Sequence, residues 1–259
     1  MKKTTAVLLA MILLCLTTAA CAEQDTWTCI SCGKQSMGEH SCEWCNAARP
    51  AAERTIITFG RYEQDNIEEN GPEPIEWIVL DEQDGKYLLI SKFGLDTLAY
   101  NTEHCDITWE ECSARDWLNN IFYYDSFTEA ERACILETTV DNSDAQKYAE
   151  YKGSGGNDTL DRIFLLSWQE AGRYLPGDDE RTCAPTDYAL ANHAFLYVGY
   201  VYIKSYGRQT GYWWLRSPGN RQDSVSYVMP TGRRNYEDPH YNDFIIRPAM
   251  WVDLRDYTP

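Results

Sequence analysis

Basic residues are scarce in this chain of 259: 23 lysines and arginines stand against 40 aspartates and glutamates, a formal charge of −17. Such a surface repels phosphate backbones and anionic headgroups, so a nucleic-acid partner is not expected. Beyond Leu16 there is no long apolar run, and a membrane helix needs roughly twenty apolar residues, so no transmembrane helix is expected. The four histidines, His40, His104, His193 and His240, sit in no H-E-x-x-H or G-x-S-x-G setting. No D-x-[DN]-x-[DN]-G loop accompanies the acidity, which gives no ground for a calcium requirement. Lys152 to Thr159 (KGSGGNDT) is glycine-rich but lacks the Gly-Lys-Ser/Thr ending of a phosphate loop. Nothing selects a pair from the many carboxylates, so no catalytic residue is assigned.

What the chain does have begins with a leader. Lys2 and Lys3, an apolar run from Ala6 to Leu16 and then small residues make residues 1–22 read as a signal peptide. Ala20-Cys21-Ala22 fits ordinary cleavage before Glu23. Thr18-Ala19-Ala20-Cys21 loosely matches the site where bacterial lipoproteins are cut and acylated, with Thr18 where leucine is usual. Release is the favoured outcome, which makes the protein secreted or extracellular; a lipid anchor at Cys21, giving a membrane-attached lipoprotein, is the alternative. With 44% hydrophobic residues, nine Trp and eighteen Tyr, the rest of the chain has ample material for a core.

Residues 27–50 carry four thiols, Cys29, Cys32, Cys42 and Cys45, in the spacing C-x2-C-x9-C-x2-C. Each C-x2-C pair can offer two thiolates to one ion from a tight knuckle, and four ligands close a tetrahedron without an open place for water. A structural zinc ion is therefore expected. The stretch is similar to short zinc ribbons written W-x-C-x2-C-G…C-x2-C-x3-RP, through Trp27, Gly33, Arg49 and Pro50 besides the cysteines, with Asn46 where a second glycine is usual. Two disulfides are the competing reading, because exported thiols are usually oxidised. Local bridges would hold so short a module less well than one shared metal. His40 lies inside a complete thiol set and is expected to face solvent.

After a small, polar linker, Asn46 to Arg54, the pattern changes. Thr55–Phe59, Ile75–Leu80 and Tyr87–Ser91 read as strands, the latter two joined by a hairpin turn ending in Gly85. Capping-box patterns at Thr108, Thr128 and Ser167 predict helices, and Ala184–Ala194 reads as another. Arg162–Leu166 reads as a buried strand. Tyr212–Leu215, Ser224–Met229 with a turn at Thr231-Gly232, and Phe244–Leu254 interrupted by Pro248 return to strands. Strands, helices, then strands argue α+β rather than alternating βαβ. Cys105, Cys112, Cys134 and Cys183 allow two bridges, but Cys112 and Cys134 fall in predicted helices, where buried thiols are the commoner state.

Four segments, "EPIEWIVLD" from Glu73, "TWEECSARDWLN" from Thr108, "GYWWLRSPG" from Gly211 and "FIIRPAMWVDL" from Phe244, occur in the order that resembles the bacterial domain-of-unknown-function family DUF6273, over roughly Ile57 to Leu254. The domain is expected over residues 55–256. That layout is similar in turn to C-type-lectin-like and formylglycine-generating-enzyme-like folds, which implies a mixed domain of antiparallel strands and several short helices. Oxidase chemistry is not implied, since those enzymes use late cysteines and none follows Cys183. Lectin-type calcium motifs are likewise missing near the end of the chain.

The candidate ligand residues lie late. Trp213 and Arg216 pair an aromatic plane with a guanidinium, which suits sugars or carboxylates, although packing and buried hydrogen bonding are the favoured reading of Trp213, Trp214, Arg216 and Arg247. Asn220–Asp243 is rich in Asn, Asp, Tyr, Ser and Arg, the composition of an adaptable contact surface, and offers Arg221, Arg233, Arg234, Tyr236 and Tyr241. The resulting expectation is a non-enzymatic binding module for a glycan, peptide or protein at the cell surface. A secreted hydrolase acting on cell-wall or dietary polymers and a structural envelope component are the alternatives.

Overall fold

The computed structural model describes residues 27–29, 32–37, 43–45, 54–196, 204–255 and 257. The leader with Cys21, the ligand position Cys42, His40, and Asn46, Arg49 and Pro50 lie outside the described residues. Among those described, no helix is long and apolar enough to cross a membrane. The backbone divides into two compact units, Met1–Ala51 and Ala52–Pro259.

In the first unit β1 (Trp27–Thr28) pairs antiparallel with β2 (Gln35–Ser36). The turn between them closes through Gly33 N–H to Cys29 O at 2.8 Å and Cys29 N–H to Lys34 O at 2.9 Å. Gly33 holds φ at 71°, where a side chain would be strained. Trp44 pins the second knuckle to this hairpin: its indole N–H donates to Gln35 O at 2.9 Å and Lys34 Nζ sits 4.8 Å from the ring centre.

The second unit opens with three successive strands, β3 (Ile56–Tyr62), β4 (Glu73–Gln83) and β5 (Lys86–Ser91), paired antiparallel. Asp84 and Gly85 both take positive φ, 51° and 77°, the mirror-image turn whose twist matches that of the strands it joins. A short β6 (Asp96–Thr97) leads into α1 (Ser113–Trp117), a π-helical turn (Leu118–Phe122), α2 (Tyr123–Ser126) and α3 (Glu129–Cys134). Then come β7 (Thr138–Val140), β8 (Thr159–Asp161), α4 (Trp168–Tyr174), α5 (Asp178–Arg181) and α6 (Asp187–Ala191). The chain finishes with β9 (Lys204–Ser205), β10 (Arg208–Gln209), β11 (Trp213–Pro218), β12 (Val225–Val228), β13 (Arg234–Glu237), β14 (Ile245–Ile246) and β15 (Ala249–Asp253).

Two sheets dominate. One has the order β15-β5-β4-β3, the other β13-β12-β11-β14-β6, and only β11 with β14 runs parallel within them. With short helices between antiparallel sheets the unit is α+β, as the order of elements implies. Pro248 does more than interrupt a strand: β14 belongs to one sheet and β15 to the other, so the chain changes sheets at Arg247-Pro248. The crossing is fastened by Ser91, whose N–H donates to Pro248 O at 2.9 Å while its own carbonyl accepts from Arg247 Nε at 3.0 Å.

Trp77, Trp109, Trp213, Trp214, Tyr100, Phe59 and Phe122 are fully buried. Both Trp213 and Trp214 are interior although they point to opposite faces, because β11 is covered on both sides along its whole length. Their indole N–H groups are satisfied within the fold, by Arg181 O at 2.9 Å and Leu98 O at 3.0 Å.

Capping boxes form at Thr128 and Ser167, each with the reciprocal glutamate contact. The box expected at Thr108 does not form. Trp109 is drawn into the core, its indole N–H donating to buried Asp161 at 2.8 Å, and the helix starts at Ser113 behind an extended Cys112. Ile163 to Leu166 are buried and Arg162 is partly exposed, but the segment is not a strand; Phe164 alone bridges to Ala249. The helix expected over Ala184–Ala194 is limited to α6, capped by Thr186.

Candidate functional site

The sequence-derived residues fall into four groups. In the ribbon, the thiol sulfurs of Cys29, Cys32 and Cys45 lie within 4.8 Å of one another, and those of Cys29 and Cys45 are 3.6 Å apart. A disulfide requires about 2.0 Å, whereas two thiolates on one tetrahedral zinc at about 2.3 Å each stand about 3.8 Å apart. Three thiol sulfurs that are up to sixteen residues apart in sequence are thus gathered in one place. Elsewhere, Cys112 and Cys183 are buried thiols; burial pushes Cys112 up to about 12 and raises Cys183 as well, so neither is a ready nucleophile.

Trp213 and Arg216 are placed inside the protein, not on a surface. Arg216, 1% exposed along its side chain, makes a fork-to-fork pair with Glu170 and also donates to Leu165 O at 2.8 Å, Asp141 O at 3.0 Å and Asn142 Oδ1 at 3.1 Å. Every arm of the guanidinium is engaged by the chain itself. Trp213 carries the Arg247 guanidinium 5.1 Å from its ring centre and has no outward face.

Arg234 and Tyr236, on β13, enter an aromatic surface. Arg234 stacks on Trp168 at 4.5 Å and donates to its carbonyl; Tyr151 packs edge-on to both Trp168, at 5.4 Å, and Tyr236, at 4.9 Å; Tyr148 packs on Trp168 and Tyr151. Tyr148 and Tyr236 are exposed, 37% and 36%, and Tyr151 is half-buried. Arg233, in the turn before β13, is exposed. Gly232 makes that turn possible, with φ at 80° and a Cβ position that would lie 1.6 Å from Asp178 O. The rings form a rigid, partly open tyrosine surface with cationic edges, suited to stacking against a sugar or peptide face.

Arg221 and Tyr241 meet at a second place that motif reasoning did not find. Asp238 accepts at 2.6 Å from His104 Nδ1 on one carboxylate oxygen and at 2.6 Å from His240 Nδ1 on the other. Asp223, 3.8 Å from His104 Nε2, is held at 2.6 Å by Arg221 Nε. Tyr241 stacks between His240 and Phe244 at interplanar angles of 20° and 14°, and Phe244 lies 4.5 Å from buried Trp214. The only local signal was the triplet Asp238-Pro239-His240; His104 arrives from a distant turn, tied in by Asn101 N–H to Pro239 O at 3.0 Å.

The charges here are mutually supporting. Burial alone would raise Asp238, but hydrogen bonds from His240 and His104 outweigh it and leave the carboxyl at about 2. His104 is raised above its ordinary value by its hydrogen bond to Asp238 and then by the carboxylate's charge. With the folded value above the unfolded one, the stabilising contribution is fully present below the unfolded pKa and fades as pH rises through the folded one. An NMR titration should find His104 ionising above an ordinary histidine, and Asp238→Asn should bring it back down; an unshifted His104 in the parent would refute this pairing.

A cavity of about 370 Å3 lies elsewhere, lined by residues including Ile57, Val79, Glu82, Tyr87, Leu254 and Arg255. Among the described residues that line it, Glu82 is the one carboxylate. The acidic trio Glu63, Asp65 and Glu73 is occupied by backbone N–H groups of residues 64, 65 and 67.

Neither a curated protein nor a solved structure matches the chain. A family model does, over residues 84–254, beginning at the β4–β5 turn, so the match starts inside a sheet whose first two strands precede it. Covering well over half of the chain, that match makes this protein a member of the family described as Domain of unknown function (DUF6273).

Proposed function

We propose that this protein is an exported, non-enzymatic binding module, in which a zinc ribbon precedes a lectin-like α+β domain that recognises a glycan or peptide at the cell surface. The observation that carries the reading is the tyrosine surface of Tyr148, Tyr151 and Tyr236 around Trp168, with Arg234 stacked on that indole and exposed Arg233 next to it in sequence. Rings already packed edge-on and tilted against one another lose little freedom on binding, which favours a recognition role. The C-type-lectin likeness supports it at the level of element order only. A released chain is the preferred localisation, and acylation at Cys21 the alternative. For the ribbon, zinc held by Cys29, Cys32, Cys42 and Cys45 is supported by the gathered sulfurs of the three described cysteines.

A glycan and peptide array probed with the full chain tests the module. Tyr236→Ala is expected to weaken any hit about fivefold or more, as loss of an aromatic platform costs about 1–3 kcal/mol, and Arg233→Ala to weaken it less. Binding left unchanged by both substitutions would remove this surface from the account. Turnover of a polysaccharide by the parent chain would instead favour the hydrolase.

A further inference from the structure

We propose that His104, Asp238 and His240 form a binding site for a divalent transition metal of the zinc type, with Asp223 as the outer carboxylate that orients His104. The inference is independent of the tyrosine surface and uses none of the ribbon's thiols.

The donor set comes first. One nitrogen from each imidazole and one carboxylate oxygen lie within 4.8 Å of one another. Two imidazoles with a carboxylate suit zinc, nickel or copper, whereas calcium and magnesium take oxygen ligands almost exclusively. The second feature is the outer shell. A metal-bound histidine generally donates its other ring N–H to a carboxylate, which fixes its tautomer. His104, with Nδ1 turned to Asp238, places Nε2 3.8 Å from Asp223 Oδ2, and Arg221 holds that carboxylate in position.

Preorganisation is the third. The two contributing segments are joined by the Asn101–Pro239 backbone hydrogen bond, and the Asn101 side chain, itself buried, closes the His104 turn by donating to Glu103 O at 2.9 Å. On the other side His240 is backed by the Tyr241–Phe244 stack that ends on the core, so its ring is held before any ion arrives. With the ion bound, each Nδ1 gives its lone pair to the metal: from a neutral ring its proton moves to Nε2, which in His104 faces Asp223, and from an imidazolium one proton is released to solvent. Three protein ligands leave a fourth tetrahedral place, and since His104 and His240 are about half exposed it opens to solvent, where water or an anionic group of a bound molecule would complete it.

The test is zinc titration of the full chain, read in two ways. Imidazole NMR signals of His104 and His240 should shift together with saturation at one equivalent, while those of His193 stay put. Equilibrium dialysis should give one zinc equivalent fewer for the His104→Ala/His240→Ala double variant than for the parent, and about tenfold weaker binding at this site for Asp223→Asn. Cobalt loaded at the site should show ligand-field bands without thiolate charge-transfer absorption, separating it from the ribbon. Histidine signals that ignore zinc would overturn the proposal without reference to any variant, as would equal zinc uptake by the parent and a folded double variant.

Discussion

Replacing Arg216 with alanine is expected to lower the unfolding free energy of the larger unit by about 3 kcal/mol, toward the lower end of what loss of one partner from a buried ion pair costs. The guanidinium ties Glu170 of α4 to the carbonyls of Asp141 and Leu165 and to the side chain of buried Asn142, so alanine takes this donor from Asp141 O, Leu165 O and Asn142 Oδ1 and strips Glu170 of its cation. Glu170 is 25% exposed and recovers some hydration, which is why the larger figures do not apply. It also closes the Ser167 capping box, accepting from Ser167 N–H at 2.8 Å, so the damage should spread to α4. Lysine should not rescue, because a single ammonium cannot reproduce a planar fork that serves several acceptors at once. Urea unfolding with an unchanged slope and a lowered midpoint checks this; a parent-like Arg216→Ala would show that the network is dispensable.

The second large effect concerns the ribbon. In the His104→Ala/His240→Ala background, where the second metal site is gone, a strong chelator or Cys29→Ser is expected to abolish amide protection at Trp27–Thr28 and Gln35–Ser36 while the thermal midpoint of Ala52–Pro259 stays where it was. Among the described residues the first unit shows one two-stranded hairpin and Cys29 as its one buried hydrophobic residue, so metal-binding energy of about 10 kcal/mol or more would be its folding energy. The second unit has its own core around Trp77, Trp109, Trp213 and Trp214. Simultaneous loss of both units would contradict their independence, and retained protection in the chelated protein would contradict the role given to zinc.

What could be seen in the sequence was local. Thr128 and Ser167 sit three residues before a glutamate, and both ends of a capping box lie inside one turn, so those helix starts were legible. Thr108 shows the same pattern and fails, because the indole of Trp109 finds Asp161 on β8, a contact no window of ten residues contains. Pro248 was visible as a break, but not as the point where the chain passes from one sheet to the other, since that depends on β6 and β5 lying in different sheets. The same limit governs the site. Cys29, Cys32 and Cys45 stand out by spacing; Arg221, Arg233, Arg234, Tyr236 and Tyr241 are candidates through the composition of one segment. His104 was passed over because its partners, Asp238 and Asp223, reach it only through the fold. Trp213 and Arg216 fit both a pocket and a core on sequence grounds, and it is the coverage of β11 on both faces that places them inside.

The central claim, a short leader module organised by one thiolate-bound ion ahead of a body that folds on its own packing, is tested most directly by zinc content and thiol state in the His104→Ala/His240→Ala background, where the second metal site is gone. One zinc per chain, with Cys29, Cys32, Cys42 and Cys45 all reactive as thiols after denaturation in chelator, is the predicted result. A metal-free protein in which those four sulfurs are joined as disulfides would contradict it.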